Sequence, residues 1–171
     1  MPAVRRPLSH TFTESNQMKR RTILFAVVFC FFAAALSFAA DDSIGTWKLN
    51  EAKSKFPASA GKNSTVVYSA EGDNLKAVID GVDGSGNPVH SEWVGKFDGK
   101  DYPVTGDSRV DARSVKMVDD HHFKVANKKD GKVVLEGSIA IAPDGKSRVL
   151  KVAGKNADGK KTSATYVYDK E

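Results

Sequence analysis

Cysteine is almost absent from this chain, because the single one, Cys30, lies inside an apolar run near the N-terminus. Phe29 precedes it where a lipoprotein signal requires a small residue, so we do not expect lipidation. From residue 40 onwards the sequence has no cysteine. That absence excludes disulfides, thiolate nucleophiles and cysteine-based metal or haem attachment from this part of the chain. Its fold must therefore be stabilised by an apolar core alone.

An excess of charge is also missing from most of the sequence. The formal net charge is +5, but five of the 26 Lys and Arg residues and only one of the 21 Asp and Glu residues precede residue 40. The remaining 21 basic and 20 acidic residues leave a formal charge of +1. Affinity for nucleic acid grows with the number of phosphates neutralised, so a nearly neutral domain indicates no nucleic-acid partner. Nothing in the sequence points to a partner protein.

Long apolar runs are confined to one place. Ile23 to Leu36 gives 14 uninterrupted apolar residues, preceded by Lys19-Arg20-Arg21 and followed by the small residues Ser37 and Ala39. This order is typical of a cleavable signal peptide. A run of 14 residues is shorter than the roughly 20 that span a bilayer, so we expect cleavage rather than a membrane anchor.

We predict cleavage after Ala39, with Ala40 as the alternative, so that residues 1–39 are an N-terminal extension and signal peptide. Met18 lies just before the basic cluster and is an alternative start to Met1. The remaining residues, 40–171, are enough for one domain. We expect this domain to be exported by a bacterium to the periplasm or the medium, with no membrane span after cleavage.

What the remaining chain does contain is a repeated strand-and-turn unit. In the segment 88–106, PVHSEWVGKFDGKDYPVTG, an alternating stretch leads to an Asp98-Gly99 turn and a second extended arm that ends at Gly106. Similar Asp-Gly, Gly-Asp or Asp-Asp turn signals follow at short intervals, separated by runs rich in Val, Ile, Thr and aromatic residues. Glycine suits these tight turns because it adopts positive φ without steric cost. No helix of ordinary length fits; Glu51 to Lys62 allows one short turn before Pro57.

Side-chain parity indicates which face of each strand is buried. Val89, Trp93 and Phe97 alternate with polar residues, and other strands show the same period of two, which is typical of antiparallel sheets with one face in the core. The stretch from Val110 to Val118 is ambiguous, because Arg109, Asp111 and Arg113 share parity with the apolar Val115 and Met117. A bulge would reconcile that pattern.

The sequence therefore predicts an all-β domain, an antiparallel up-and-down meander of about eight to ten strands. An open sheet would leave two exposed edges, which favour aggregation, and closure into a barrel removes them. A two-sheet sandwich is the alternative, but it usually needs longer connections than these turns.

One motif carries a family resemblance. Ile44-Gly45-Thr46-Trp47, opening the first predicted strand, resembles the Gly-x-Trp start of lipocalin and calycin barrels. The segments GTWKLNEAKSKF and KFDGKDYPVTG are also similar to a group of small exported bacterial lipocalin-like proteins of unassigned function. The resemblance implies a barrel in which Trp47 seals one end and Arg148 lies across it. The chain departs from the lipocalin pattern in having no clear Thr-Asp-Tyr motif, C-terminal helix or disulfide.

The fold class and the resemblance together suggest a binding protein that holds a small apolar ligand. The candidate ligand-lining residues share the inward parity or lie at an interrupted strand: Trp93, Phe97, Tyr102, Phe123, Leu135, Ile139 and Tyr166. Tyr102 precedes Pro103, which cannot donate to a sheet ladder, so we expect it at a rim, capping the mouth of a cavity. The alternative is a structural or interaction barrel with a solid core.

No catalytic, cofactor or metal site is predicted. In Asp119-Asp120-His121-His122, adjacent strand residues point to opposite faces, so the two histidines do not suit one ion, and a polar turn is the preferred interpretation. Gly84-Ser85-Gly86 lacks the strand-to-helix elbow of hydrolases. An enzyme, built on His121, Tyr102 and the Arg109-Asp111-Arg113 set, is the least favoured alternative.

Overall fold

The computed structural model describes residues 42–155, 159 and 161–171, so the predicted leader and its cleavage site lie outside the described residues. The described chain belongs to one compact unit, Phe38–Glu171. It is built from ten strands: β1 (Gly45–Leu49), β2 (Lys62–Glu71), β3 (Asn74–Val82), β4 (Pro88–Gly95), β5 (Asp98–Thr105), β6 (Ala112–Met117), β7 (His122–Lys129), β8 (Lys132–Ile141), β9 (Ser147–Lys155) and β10 (Lys161–Lys170).

Helix is nearly absent from this part of the chain. A single 3-10 turn, Glu51–Lys53, precedes Pro57, with the Asn50 side chain accepting a hydrogen bond from the Lys53 amide at its start. Among the residues described, no helix has the length and apolarity needed to cross a bilayer.

Each strand pairs antiparallel with its neighbour in sequence, and β1 pairs with β10 to close the barrel. The closing seam consists of three residue pairs, Trp47 with Lys170, Lys48 with Asp169 and Leu49 with Tyr168. The predicted up-and-down barrel is therefore confirmed, and the two-sheet sandwich is wrong. Closure gives every strand a partner on both sides, which removes the exposed edges of an open meander.

Because consecutive strands run in opposite directions, the connections alternate between the two ends of the barrel. Those that follow β1, β3, β5 and β7 lie at one end, here called the mouth end, and those that follow β2, β4, β6 and β8 lie at the other, the closed end.

The connection between β4 and β5 differs from the prediction. The turn lies at residues 96–97, and β5 already begins at Asp98. Gly99 has φ of +82°, and the register between β5 and β6 shifts between Asp98 and Asp101, so Asp98-Gly99 forms a bulge within a strand and not a hairpin turn. An Asp-Gly pair satisfies either geometry, since both place the glycine at positive φ. Gly106 ends the second arm as predicted.

The ambiguous stretch around β6 contains no bulge. The pairing of β6 with β7 continues without a register shift from Ala112 to Met117. Arg113 therefore has the same inward orientation as Val115, which is only 1% exposed. Inward and outward positions therefore alternate without interruption along β6, and Arg113 occupies one of the inward positions.

Candidate functional site

The barrel encloses a cavity of about 830 Å³. This is within the range of roughly 300 to 1,000 Å³ that is usual for small-molecule sites. Its lining includes residues 57, 59–61, 84–85, 107, 109 and 110, all of which belong to connections at the mouth end. The cavity therefore extends from the mouth end into the interior of the barrel.

Most of the surface of the cavity wall is apolar, and aliphatic residues are a large part of its lining. The inner faces of the strands contribute side chains of this kind at Val66, Ile79, Val89, Val125, Leu135, Ile139, Leu150, Val152 and Ala164. Transfer of apolar ligand surface from water to such a wall is favourable, at roughly 25 cal/mol per Å². The wall alone therefore favours an apolar occupant.

Arg148 forms part of the floor of the cavity. Its guanidinium carbon lies 4.6 Å from the centroid of the Trp47 ring, 4.9 Å from that of Tyr168 and 5.4 Å from that of Tyr68. Trp47 is fully buried beneath it, and its indole Nε1 donates to the carbonyl of Ser43 over 2.9 Å. The stacked Trp47–Arg148 pair that the resemblance implies is thus present at the closed end.

Arg113 is the second positive charge inside the barrel. Its Nε donates to Oδ1 of Asn127 over 2.8 Å, and its backbone carbonyl accepts from Nε1 of Trp93 over 3.1 Å. The side chain keeps some accessible surface although protein surrounds it, as expected of a group that lines a cavity. Burial lowers the pKa of both Arg113 and Arg148, and the charge of Arg148 lowers the pKa of Arg113 further. Both arginines line the same cavity.

An ion pair lies at the mouth end of the cavity. Nε and Nη2 of Arg109 donate to the two carboxylate oxygens of Asp107, each over 2.9 Å. Burial alone would raise the pKa of Asp107, but the hydrogen bonds from Arg109 hold it below its ordinary value. Nearby, the phenol of Tyr166 donates to the carbonyl of Gly61 over 2.7 Å and ties β10 to the loop after β1.

Three of the seven residues predicted to line a ligand do line this cavity, namely Leu135, Ile139 and Tyr166. Trp93, Phe97 and Phe123 lie outside its lining and pack on one another. The rings of Trp93 and Phe97 stack with centroids 6.3 Å apart, and Phe123 meets Phe97 edge-on at 5.0 Å. Phe97 lies in the turn between β4 and β5, so this aromatic cluster fills the closed end of the barrel.

The structure places Tyr102 away from the mouth end, where we expected it. Its ring packs edge-on against Trp93, with centroids 6.0 Å apart, over the face of Gly95. Its phenol donates to Oδ2 of Asp98 over 3.1 Å, at the closed end and not at the mouth. The strand pairing beside Pro103 is interrupted, as its sequence predicts, because β4 and β5 share only two residue pairs. An interrupted pairing does not by itself say at which end of the barrel it occurs.

The acidic and histidine-rich segment forms a polar turn, as predicted. Oδ1 of Asp119 accepts hydrogen bonds from the backbone amides of His121 and His122, over 3.0 and 2.9 Å. The imidazole of His122 also bonds to this carboxylate oxygen at 2.8 Å, on the exposed surface. His121 lies in the turn, with Nδ1 3.9 Å from Oδ2 of Asp42, and does not reach the cavity.

Sequence reasoning missed the polar residues of the cavity. Arg113, Asn127, Tyr68 and Ser91 all contribute to its lining. The parity of Arg113 with Val115 indicates an inward side chain, but the bulge proposed for this stretch implied that the two residues face opposite sides. Parity also places Tyr68, Ser91 and Asn127 on the inner face, but it does not give their height along the barrel axis, so the sequence alone did not assign them to the cavity.

No family model matches this chain, and no curated protein is significantly similar to it. Among solved structures, it aligns with that of EF1p2_mFAP2b bound to DFHBI, with a TM-score of 0.46 and 10% sequence identity. The alignment covers 80% of this chain and 99% of the other. The function of the protein is therefore argued from the cavity itself.

Proposed function

We propose that this protein is an exported binding protein that holds a small, largely apolar molecule inside its barrel. The observation that carries the proposal is the cavity of about 830 Å³, which reaches the mouth end and has a mainly apolar wall. A barrel that served only as a structural module would gain stability by filling this volume, since each cavity in a core is destabilising. Export is supported by the predicted signal peptide in residues 1–39.

Closure and packing at the opposite end support the same proposal. Trp47, Arg148 and the cluster of Trp93, Phe97 and Phe123 occupy the closed end, so a ligand enters and leaves through the mouth end. The alternative of a solid interaction barrel loses its premise, because the interior is not filled. Large exposed apolar side chains among the described residues are few, namely Val118, Val133 and Val134.

Native mass spectrometry of the protein purified from its own host tests both parts of the proposal. We expect the intact mass of a chain that begins at residue 40, together with the mass of a bound molecule that is lost under denaturing conditions. After extraction, the empty protein should bind the neutral dye Nile red, and 1-dodecanol should displace the dye. A consistently bare mass together with no uptake of Nile red or any lipid from a panel would overturn the binding proposal, whereas a retained leader would overturn only export.

A cavity-filling variant locates the site. Ala164 lines the cavity, whereas Ala153, on the adjacent strand β9, is exposed on the outer face. Ala164→Trp should therefore reduce Nile red binding strongly while the barrel still folds, and Ala153→Trp should leave binding unchanged. Equal binding by both variants, with native circular dichroism, would place the dye elsewhere.

A further inference from the structure

The charge inside the cavity is unbalanced. Its lining contains three arginines, Arg109, Arg113 and Arg148, against a single carboxylate, Asp107, which leaves a formal charge of +2. Asp107 is already engaged by Arg109 through both oxygens. Within the described part of the chain, no ion pair joins Arg113 or Arg148 to a carboxylate. Two positive charges in the interior thus lack a counterion.

The environment of Arg148 leaves one edge of its guanidinium without a partner. Aromatic rings surround the group, and its side chain is 95% buried, since the residue is 5% exposed. Cation–π contacts stabilise the charge through the faces of the rings but do not satisfy the N–H donors. Nε of Arg148 is buried and has no hydrogen-bond partner. The residue also contributes to the lining of the cavity, so an anionic group on a ligand there would lie next to its uncompensated charge.

Arg113 offers a similar group from the wall. Asn127 satisfies only its Nε, through a neutral amide oxygen that does not compensate the charge. An arginine does not lose its proton on burial, because its ordinary pKa lies far above neutral pH. A buried charge without a partner is strongly unfavourable, and an anion that pairs with it removes that penalty. The interior is therefore built in a way that favours a negatively charged group.

We propose that the ligand is an apolar chain that ends in a carboxylate, with the carboxylate held between Arg113 and Arg148. This inference rests on the proposed function and narrows the class of ligand. The guanidinium fork matches a carboxylate in shape and charge. The apolar tail then lies towards the mouth end, against Val82, Val89, Val110 and Val134. The molecule enters the barrel with its charged end first.

A series of probes that differ only in the head group tests this inference. Dodecanoate, methyl dodecanoate and dodecyltrimethylammonium are titrated by calorimetry, below their aggregation concentrations, into the delipidated protein purified from its host. Because hydrogen bonds between charged groups are strong, we expect dodecanoate to bind roughly ten- to a hundredfold more tightly than the ester. We expect the cation to bind more weakly than either. This comparison uses the unmodified protein, so it does not depend on whether any variant folds.

Substitutions then assign the preference to a residue. In Arg113→Met, dodecanoate should lose about tenfold or more in affinity while the ester keeps its affinity within about twofold. Arg113→Lys keeps the charge but not the fork, and should give an intermediate result. Lys116→Met, on the exposed outer face of the same strand, is the matched control and should change neither affinity. A purely structural role for Arg113 would instead lower the affinity for both probes together.

The outcomes separate this inference from the binding function. Equal affinity for the carboxylate and the ester in the unmodified protein would overturn the head-group inference and leave the binding function standing. Full retention of the preference in folded Arg113→Met would overturn the role of Arg113. Failure of all three probes and of Nile red to bind would overturn both proposals.

Discussion

At the scale of single residues, two glycines occupy positions where a residue with a Cβ fits poorly. Gly131 has φ of +72° in the turn between β7 and β8, and the preceding Asp130 has φ of +51°, so both central residues of this tight turn are left-handed. Gly137 lies within β8, and a Cβ placed there would overlap with the carbonyl oxygen of Lys151. The first glycine is required by its backbone conformation and the second by the close approach of the neighbouring strand.

Alanine substitution at these two positions should therefore have unequal effects. Gly131→Ala meets nothing within 4 Å, so its cost should be that of the left-handed conformation, about 1 to 2 kcal/mol. Gly137→Ala must shift the backbone of β9 as well as that of β8, so we expect it to lower the free energy of unfolding by more than Gly131→Ala does. Urea unfolding followed by tryptophan fluorescence measures both free energies. A smaller loss for Gly137→Ala would show that β8 and β9 separate more easily than their packing indicates.

At the scale of elements, the outer face of the sheet carries a charged ladder across β3 and β4. Nδ1 of His90 lies 2.7 Å from Oδ1 of Asp80, its Nε2 lies 3.8 Å from Oε1 of Glu92, and Nζ of Lys76 lies 2.8 Å from Oε2 of Glu92. The hydrogen bond to Asp80 is the main cause that raises the pKa of His90 above its ordinary value of 6.5. Such exposed pairs contribute little to stability but titrate measurably.

We expect Asp80→Asn to lower the pKa of His90 towards 6.5, as measured by NMR titration of the imidazole. Because the pKa of His90 is raised in the folded state, its stabilising effect is complete below pH 6.5 and is lost as the pH rises through the folded pKa. Asp73→Asn, in the turn between β2 and β3, is the control and should not shift His90. An unchanged His90 pKa in Asp80→Asn would mean that this pair does not form in solution.

At the scale of the whole molecule, closure of the barrel depends on a short seam. The seam between β1 and β10 has three residue pairs, whereas β10 and β9 share nine. Tyr168, one of the seam residues, is 1% exposed and borders the cavity. The seam thus completes both the sheet and the wall of the proposed binding site.

Deletion of residues 168–171 should open the barrel, because it removes every residue of β10 that pairs with β1. Two free edges and an accessible core then favour association between chains. Size-exclusion chromatography should show oligomers or aggregates, and Nile red binding in the cavity should be lost. Deletion of Glu171 alone removes one hydrogen bond, from its amide to the carbonyl of Thr46, and should leave a monodisperse protein. A monodisperse, ligand-binding product of the longer deletion would contradict the role given to the seam.

The sequence by itself determined the class of the fold. Alternating apolar residues and closely spaced turn signals are local properties, since they depend on the two-residue period of a strand and on the φ angles of a turn. They were sufficient to predict an antiparallel meander, and the Gly45-Thr46-Trp47 motif led to the contact between Trp47 and Arg148. The same two-residue period indicates that the side chain of Arg113 faces inward.

The tertiary structure alone decided where the interior is filled and where it is empty. Trp93, Phe97 and Phe123 have the parity expected for a ligand wall, yet they pack on one another at the closed end. Height along the barrel axis depends on strand tilt and register around the whole ring, and these are set by pairings far apart in sequence. For the same reason, only the closed barrel brings Arg113 of β6 and Arg148 of β9 to a common cavity.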